Sequence, residues 1–262
     1  MIAALPRVSA AGFSHLGGRA RQEDRWAVAE VAGAALGAVA DGMSDPLGLG
    51  RATHTSSGAI AELAVSTFVE VASRRLEAAA PPGDAVRAGF EAAAAAARAV
   101  AATGGAAFVG ACLAGDGTLF LVKVGDCRAF GDFGDGRFER ATTADDADRS
   151  GALTSWLGTD LPAAQVIVRQ RCRALVLASD GVWRTLIAPL AERAPFVLAR
   201  ELVTQARRAG ETDNLAAVVL ALAPSLVTPS LERWLSPLFL AVGAVMFFVA
   251  GLLAATLVGG AP

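Results

Sequence analysis

The stretch LVLASDGVW (175–183) runs apolar through Ala178 and then turns polar at Ser179-Asp180-Gly181. LGAVADGM (36–43) repeats the pattern, ending on Asp41-Gly42. A short, nearly continuous apolar run bounded by turn residues reads as a strand buried on both faces. VKVGDCRAF (122–130) and ETDNLAAVV (211–219) set Asp126 and Asp213 beside similar runs. A strand delivers its end residue to a fixed place, so several such carboxylates can converge on one cleft. Mg²⁺ and Mn²⁺ prefer oxygen ligands and keep several waters, so such a cleft would suit them. A two-metal hydrolase of phosphate esters is the expectation this raises. Asp-Gly pairs are also common hairpin turns. Asp116-Gly117 and Asp135-Gly136 lie between strand-like runs and read as turns. Asp41-Gly42 and Asp180-Gly181 instead lead from buried runs into helical or irregular segments. Glycine there permits close backbone approach and offers its carbonyl as a ligand. On spacing alone the metal and turn readings both stand.

Outward from these runs, residues 10–41 read as strands AAGFSH, RWAVAEVAG and AALGAVA, with Gly33 at a hairpin turn. Residues 48–103 read as two helices. Ile60, Leu63, Ala64, Phe68, Val71 and Leu76 fall near helical spacing in the first. Pro81-Pro82-Gly83 separates it from the alanine-rich second, for which Asp84 is the expected N-cap. Strands return from residue 106: AAFVGACLA, TLFLVKVG, CRAFGDF and RFER. Residues 141–164 are polar and irregular. AQVIVRQ and RALVLAS are two more strands, Pro195 to Ala209 a helix, and NLAAVVLAL a final buried strand. Strands, two helices, a run of strands, a helix and a strand predict two packed sheets flanked by helices, not an alternating parallel fold.

The 262 residues suffice for one large domain or two small ones. A net charge of −2 offers no basic surface, so no nucleic-acid partner is expected. Cys112, Cys127 and Cys172 are dispersed and form no CxxC pair, which argues against zinc or a disulfide framework and for a reducing compartment. Arginine outnumbers lysine 22 to 1, with Lys123 alone. Together with abundant alanine this reflects GC-rich, bacterial coding and carries no mechanism.

The chain is 54% hydrophobic with mean hydropathy +0.48, and its C-terminal stretch explains part of the excess. No charge follows Arg233, and the run from Leu238 to Val258 is apolar. At about 1.5 Å per residue such a helix crosses a hydrocarbon core of roughly 30 Å. The expected organisation is a catalytic domain over 1–223, a linker over 224–234 and a transmembrane helix over 235–259. MIAALPRVSAAGF lacks a signal peptide, so the head is expected in the cytoplasm, with a single-pass anchor in the cell membrane.

Taken in order, GGRARQEDRW (17–26), VADGM (39–43), VGDCRAF (124–130), LVLASDGVW and TDNLAAVVL (212–220) resemble the metal-dependent serine/threonine protein phosphatases of type 2C. The resemblance spans about residues 12–222. It implies an α+β fold, a central antiparallel β-sandwich between helical layers (α-β-β-α). It also implies hydrolysis of phosphoserine and phosphothreonine by attack of a water bridged between two Mn²⁺ or Mg²⁺ ions, with a weaker third ion. Such ions neutralise the phosphate's charge and supply hydroxide near neutral pH.

By position, Asp41 is expected to bridge the two ions, with the Gly42 carbonyl on one. Asp180 and Asp213 complete the other ion's protein shell, Glu23 and Asp24 act through bound waters, and Asp126 serves the third ion. Arg19 is expected to bind the substrate phosphate, since a guanidinium matches its geometry with paired donors. Asn214 would orient the Asp213 turn, and Cys127 would be a small buried residue. The implied partners are phosphorylated proteins, among them a serine/threonine kinase or its targets. Gln22 replaces the usual Asn, Ser44-Asp45-Pro46 replaces a glycine-rich loop with a histidine, and the stretch from Asp126 to Asp180 is short for the family. A phosphatase-like module that binds phosphorylated partners with little or no turnover is the alternative.

Overall fold

The computed structural model describes residues 7–43, 57–101, 104–143, 153–159, 162, 164–185 and 193–222. Its elements are β1 (Val8–His15), β2 (Arg25–Val31), β3 (Ala34–Met43), α1 (Ser57–Glu77), α2 (Pro82–Val100), β4 (Gly105–Ala114), β5 (Leu119–Val124), β6 (Arg128–Asp132), β7 (Glu139–Arg140), β8 (Gln165–Arg169), β9 (Ala174–Ala178), α3 (Asp180–Trp183), α4 (Pro195–Arg208) and β10 (Leu215–Leu222). These residues belong to one compact unit, Met1–Pro224.

The strands form two sheets, β1-β10-β9-β6-β7 and β2-β3-β4-β5-β8, and neighbours in both are antiparallel. The near-continuous apolar runs arise because central strands are covered on both faces. Along β3, Leu36, Ala38 and Ala40 face α1 and α2, while Ala35 and Val39 face the other sheet. Along β10, Ala216, Val218 and Leu220 face the sheet interface, while Leu215, Ala217 and Val219 face α4. Three apolar layers result: helices on sheet, sheet on sheet, and sheet on α4. This is the expected α-β-β-α sandwich.

Small residues let these layers approach. A Cβ on Gly37 would lie 2.7 Å from Val218 Cγ1 in the opposite sheet. Gly89 brings α2 against the Phe68 carbonyl of α1, where a Cβ would stand 2.8 Å away. Phe68 packs edge-on to Phe108 at 5.4 Å between centroids. Alanines fill much of the remaining helix–sheet layer, so three large rings, Phe68, Phe90 and Phe108, supply volume that small side chains do not.

Several local expectations hold. Ala32 (φ 49°) and Gly33 (φ 75°) form the tight turn between β2 and β3. Gly117 (φ 85°) follows Asp116, whose Oδ1 accepts from the Thr118 N–H at 2.8 Å. Asp84 is a correction. α2 starts at Pro82, Pro81 stands at its N-cap, and no side chain caps it. Proline at the first position needs no N–H partner, so the helix begins earlier and Asp84 falls in its first turn. Asp41 is a second correction, because β3 continues through it to Met43 in register with β4. The loop Ser44-Asp45-Pro46 and the run from Leu238 to Val258 lie outside the described residues. Among the described residues no helix is long and apolar enough to cross a membrane.

Candidate active site

The β1–β2 loop is held onto the segment before β10 by residues far apart in sequence. The side chain of Asn214 accepts from the Glu23 N–H at 2.7 Å and donates to the carbonyls of Leu16 and Arg21, both at 2.9 Å. The Gly18 N–H donates to the Thr212 carbonyl at 2.8 Å. Gly17 (φ 66°) must be glycine, since a Cβ there would fall 1.8 Å from the Asp213 carbonyl oxygen. His15 serves the turn, accepting from the Gly17 N–H at 2.8 Å. Arg19 is thereby brought to Asp213, Nη2 to Oδ2 at 2.8 Å.

Gly42 lets three segments meet at the end of β3. A Cβ there would lie 2.7 Å from the Ser57 carbonyl oxygen and 2.9 Å from that of Glu23. Ser57, opening α1, donates its hydroxyl to Glu23 Oε1. At the β9–α3 junction, Ser179 Oγ accepts from the Ala216 N–H at 3.0 Å, fixing the residue before Asp180 to β10. A Cβ on Gly181 would meet the Asn214 carbonyl at 2.4 Å. Asp126 sits in the β5–β6 turn. Trp183 Nε1 donates to its carbonyl at 3.0 Å, and buried Lys123 donates Nζ to the Gly125 carbonyl at 2.6 Å. The Arg128 guanidinium lies 3.1 Å from the centre of the Trp183 ring.

Asp24, Asp41, Asp126, Asp180 and Asp213, from five separate segments, thus share one electrostatic environment. Burial pushes Asp41 well above the usual carboxylate range, and the charges of Asp24, Asp180, Asp126 and Asp213 add to it. Asp41 is half-buried as a whole residue, yet protein packs closely around its carboxyl. Burial likewise pushes Asp24 up to about 7, with Asp180 and Asp213 adding to the rise and hydrogen bonds from Ser179 and Asp41 opposing it. Asp180 is raised by burial and by Asp213, while Arg184 pulls it down. Arg19 is raised by its bond to Asp213, and feels Asp41 and Asp180 as well. Cys127 is fully buried and its thiol is pushed well up, as expected for a packing residue.

Whether these residues suit a divalent cation can be judged from their chemistry. The donors are all oxygens, the class that Mg²⁺ and Mn²⁺ take. Asp24 Oδ2 is buried with no hydrogen-bond partner, an arrangement that costs free energy unless a proton or cation satisfies it. In these respects the set fits. No three of the described His, Cys, Asp or Glu residues, however, close into a ready ligand shell. Carboxylates at close quarters repel, and two arginines instead take the countercharge: Arg19 on Asp213, and Arg184 on Asp180 at 2.7 Å.

Arg19, Asp24, Asp41, Asp126, Asp180 and Asp213 are therefore brought together, with Glu23 and the Gly42 backbone alongside. Arg184, Trp183 and Ser179 were missed by sequence reasoning. The four-residue spacing of Asp180 and Arg184 on a short helix was the one available signal. Gln22, which replaces the usual Asn, has both side-chain polar atoms buried without partners.

Residues 11–235 match the family described as Protein phosphatase 2C. No curated protein sequence matches the chain. Among solved structures, the serine/threonine phosphatase of S. agalactiae superposes with TM-score 0.66 at 17% identity, over 82% of this chain and 100% of that one. A serine/threonine phosphatase of Staphylococcus aureus gives 0.61 at 18% identity, over 83% and 96%. The Ser-Thr phosphatase of Mycobacterium smegmatis, in complex with cacodylate, gives 0.59 at 23% identity, over 82% and 98%. At these identities the likenesses are likenesses of fold.

Proposed function

Because the chain belongs to the protein phosphatase 2C family, we propose that it hydrolyses phosphoserine and phosphothreonine in proteins with the help of two divalent cations. The observation that carries this reading is the gathering of aspartates from distant segments around Asp41, with the Arg19 guanidinium 2.8 Å from Asp213. A cleft that gathers this much negative charge is poor for binding a phosphate by itself. It suits a phosphate that arrives with cations.

Asp41, Asp180 and Asp213 would hold two Mn²⁺ or Mg²⁺ ions, with the Gly42 carbonyl, Glu23 and Asp24 completing the surroundings and Asp126 serving a weaker third. Bound there, the ions would offset the phosphate's charge and supply hydroxide at neutral pH. The chain's own part is positioning and charge. Arg19 is more than half exposed at its side chain, so it can leave Asp213 and offer two parallel donors to phosphate oxygens. Asn214 holds the loop that carries Arg19, Glu23 and Asp24 against Asp213. The Ser179 and Trp183 hydrogen bonds keep Asp180 and the Asp126 turn in step. Met43 supplies no acid beside Gly42, and Cys127, held protonated, supplies no nucleophile.

The test is release of phosphate from a phosphothreonine peptide by the purified chain in Mn²⁺. Equal release in excess chelator would sink the metal-assisted reading. The pairing of Asp180 and Asp213 with arginines favours a second reading, a module that binds phosphorylated partners with little turnover. Tight phosphopeptide binding without release in saturating Mn²⁺ would select it. The uncharged run from Leu238 to Val258 further suggests a single-pass membrane anchor with the head in the cytoplasm, next to membrane-associated kinases or their targets.

A further inference from the structure

Arg184 balances the charge of Asp180 but has no part in the proposed phosphate chemistry. It is the C-cap of α3, and its backbone N–H donates to the Asp180 carbonyl at 3.2 Å. One helical turn therefore separates the two residues, and a side chain at that spacing leans back over the earlier one. Its guanidinium meets Asp180 Oδ2 at 2.7 Å, and its Cζ lies 5.6 Å from the centre of the Trp183 ring. The Asp180 side chain is 12% exposed and that of Arg184 is 48% exposed. One partner is thus fixed in the cleft, and the other reaches in from solvent.

We propose that Arg184 is a tethered counter-cation for Asp180, which divalent metal must displace, so that this chain binds metal more weakly than its carboxylates alone would allow. The inference rests on the metal reading of the site given above. Two physical points support it. A tether of one turn keeps the guanidinium at high effective concentration, so it re-forms the pair whenever the carboxylate is free. A positive charge a few ångströms from a dication repels it whether or not it keeps the hydrogen bond. Arg19 on Asp213 is a different case, since its expected partner after release is the substrate. Arg184 has no such assigned partner, and its effect should be read in metal affinity.

The experiment is titration of Mn²⁺ alone into the full chain in detergent, following free Mn²⁺ by electron paramagnetic resonance. Arg184→Met should lower the apparent Kd at least about fivefold, the scale that a unit charge a few ångströms away exerts even through bulk water. Arg184→Lys keeps the charge and should stay close to wild type. Arg184→Gln serves if circular dichroism shows that the Met variant does not fold. In an Asp180→Asn background the Arg184→Met gain should shrink, because competition for the carboxylate ends while the repulsion from the nearby charge remains. Wild type that binds Mn²⁺ with an unchanged Kd after Arg184→Met overturns this proposal and leaves the metal reading standing. The same holds for a gain that persists fully in Asp180→Asn. Absence of Mn²⁺ binding in every variant overturns the metal reading, and this proposal with it.

Discussion

At the residue scale, the proposed chemistry rests on Asp41 and Arg19, and Asn214 carries the geometry. Asp41→Asn keeps the shape of the side chain and removes the charge proposed to bridge two cations. We expect turnover to fall at least about a hundredfold, the scale of losing a principal electrostatic group. A phosphopeptide assay within a few fold of wild type would remove Asp41 from the centre. Arg19→Ala should raise KM for an aryl phosphate more than it changes stability, and Arg19→Lys should recover only part, since a point charge does not replace a fork. An unaltered KM in the alanine variant would show that Arg19 does not touch the phosphate. Asn214→Ala leaves the Glu23 N–H and the carbonyls of Leu16 and Arg21 without their partner. These groups are only part-buried and water can reach some of them, so the loss should be about 1–3 kcal/mol in all, measurable in denaturant unfolding. Asn214→Ala with wild-type stability would show that the loop is held by other contacts.

At the element scale, the ends of β3, β9 and β10 and the start of α1 meet through glycines. Gly42→Ala would set a methyl 2.7 Å from one backbone carbonyl oxygen and 2.9 Å from another, and neither can rotate away. Overpacking of this kind costs about 1–3 kcal/mol. The larger expected effect is on activity, because the displaced parts are the Asp41 strand end and the Glu23 loop. The checking measurement is a Tm alongside phosphopeptide turnover. A drop in Tm with turnover intact would separate the packing from the site. Element boundaries were legible where side-chain pattern decides them. The apolar runs of β3, β4, β9 and β10 could be read because both of their faces are covered. The start of α2 was misread at Asp84, since Pro82 competes with capping chemistry and wins.

For the whole molecule, the buried carboxylates predict how stability depends on pH. Asp24 moves from its ordinary 3.8 to about 7, and Asp41 and Asp180 move in the same direction. A group raised in the folded state holds its proton more tightly folded than unfolded. Its contribution to stability is full below the unfolded value and is lost as pH rises through the folded one. Chelator-treated protein should therefore melt at a lower temperature near pH 8 than near pH 5, and Mn²⁺ should reduce the difference by satisfying the same oxygens. A Tm that climbs across that interval in chelator would contradict the clustering of these charges. The membrane proposal is tested on the same scale. Full-length chain should resist carbonate extraction from membranes, while a 1–228 fragment should be soluble and keep its activity on a peptide. Full-length protein in the soluble fraction would refute it.

Local pattern in the sequence determined the strands and helices, the hairpin turns at Gly33 and Gly117, and the ordered Asp-Gly and Asp-Asn signals that pointed to the family. Each of these depends on residues a few positions apart, whose conformational preferences act before the chain collapses. Tertiary structure alone decided which charges face one another. Asn214 grips the loop at Leu16 and Arg21, and Trp183 reaches Asp126, only because β1 pairs with β10 and β9 lies between β10 and β6. It also decided that Arg19 and Arg184, rather than a closed shell of carboxylates, balance Asp213 and Asp180. Electrostatic energy depends on distance and burial in space, and neither is written in the spacing of residues along the chain.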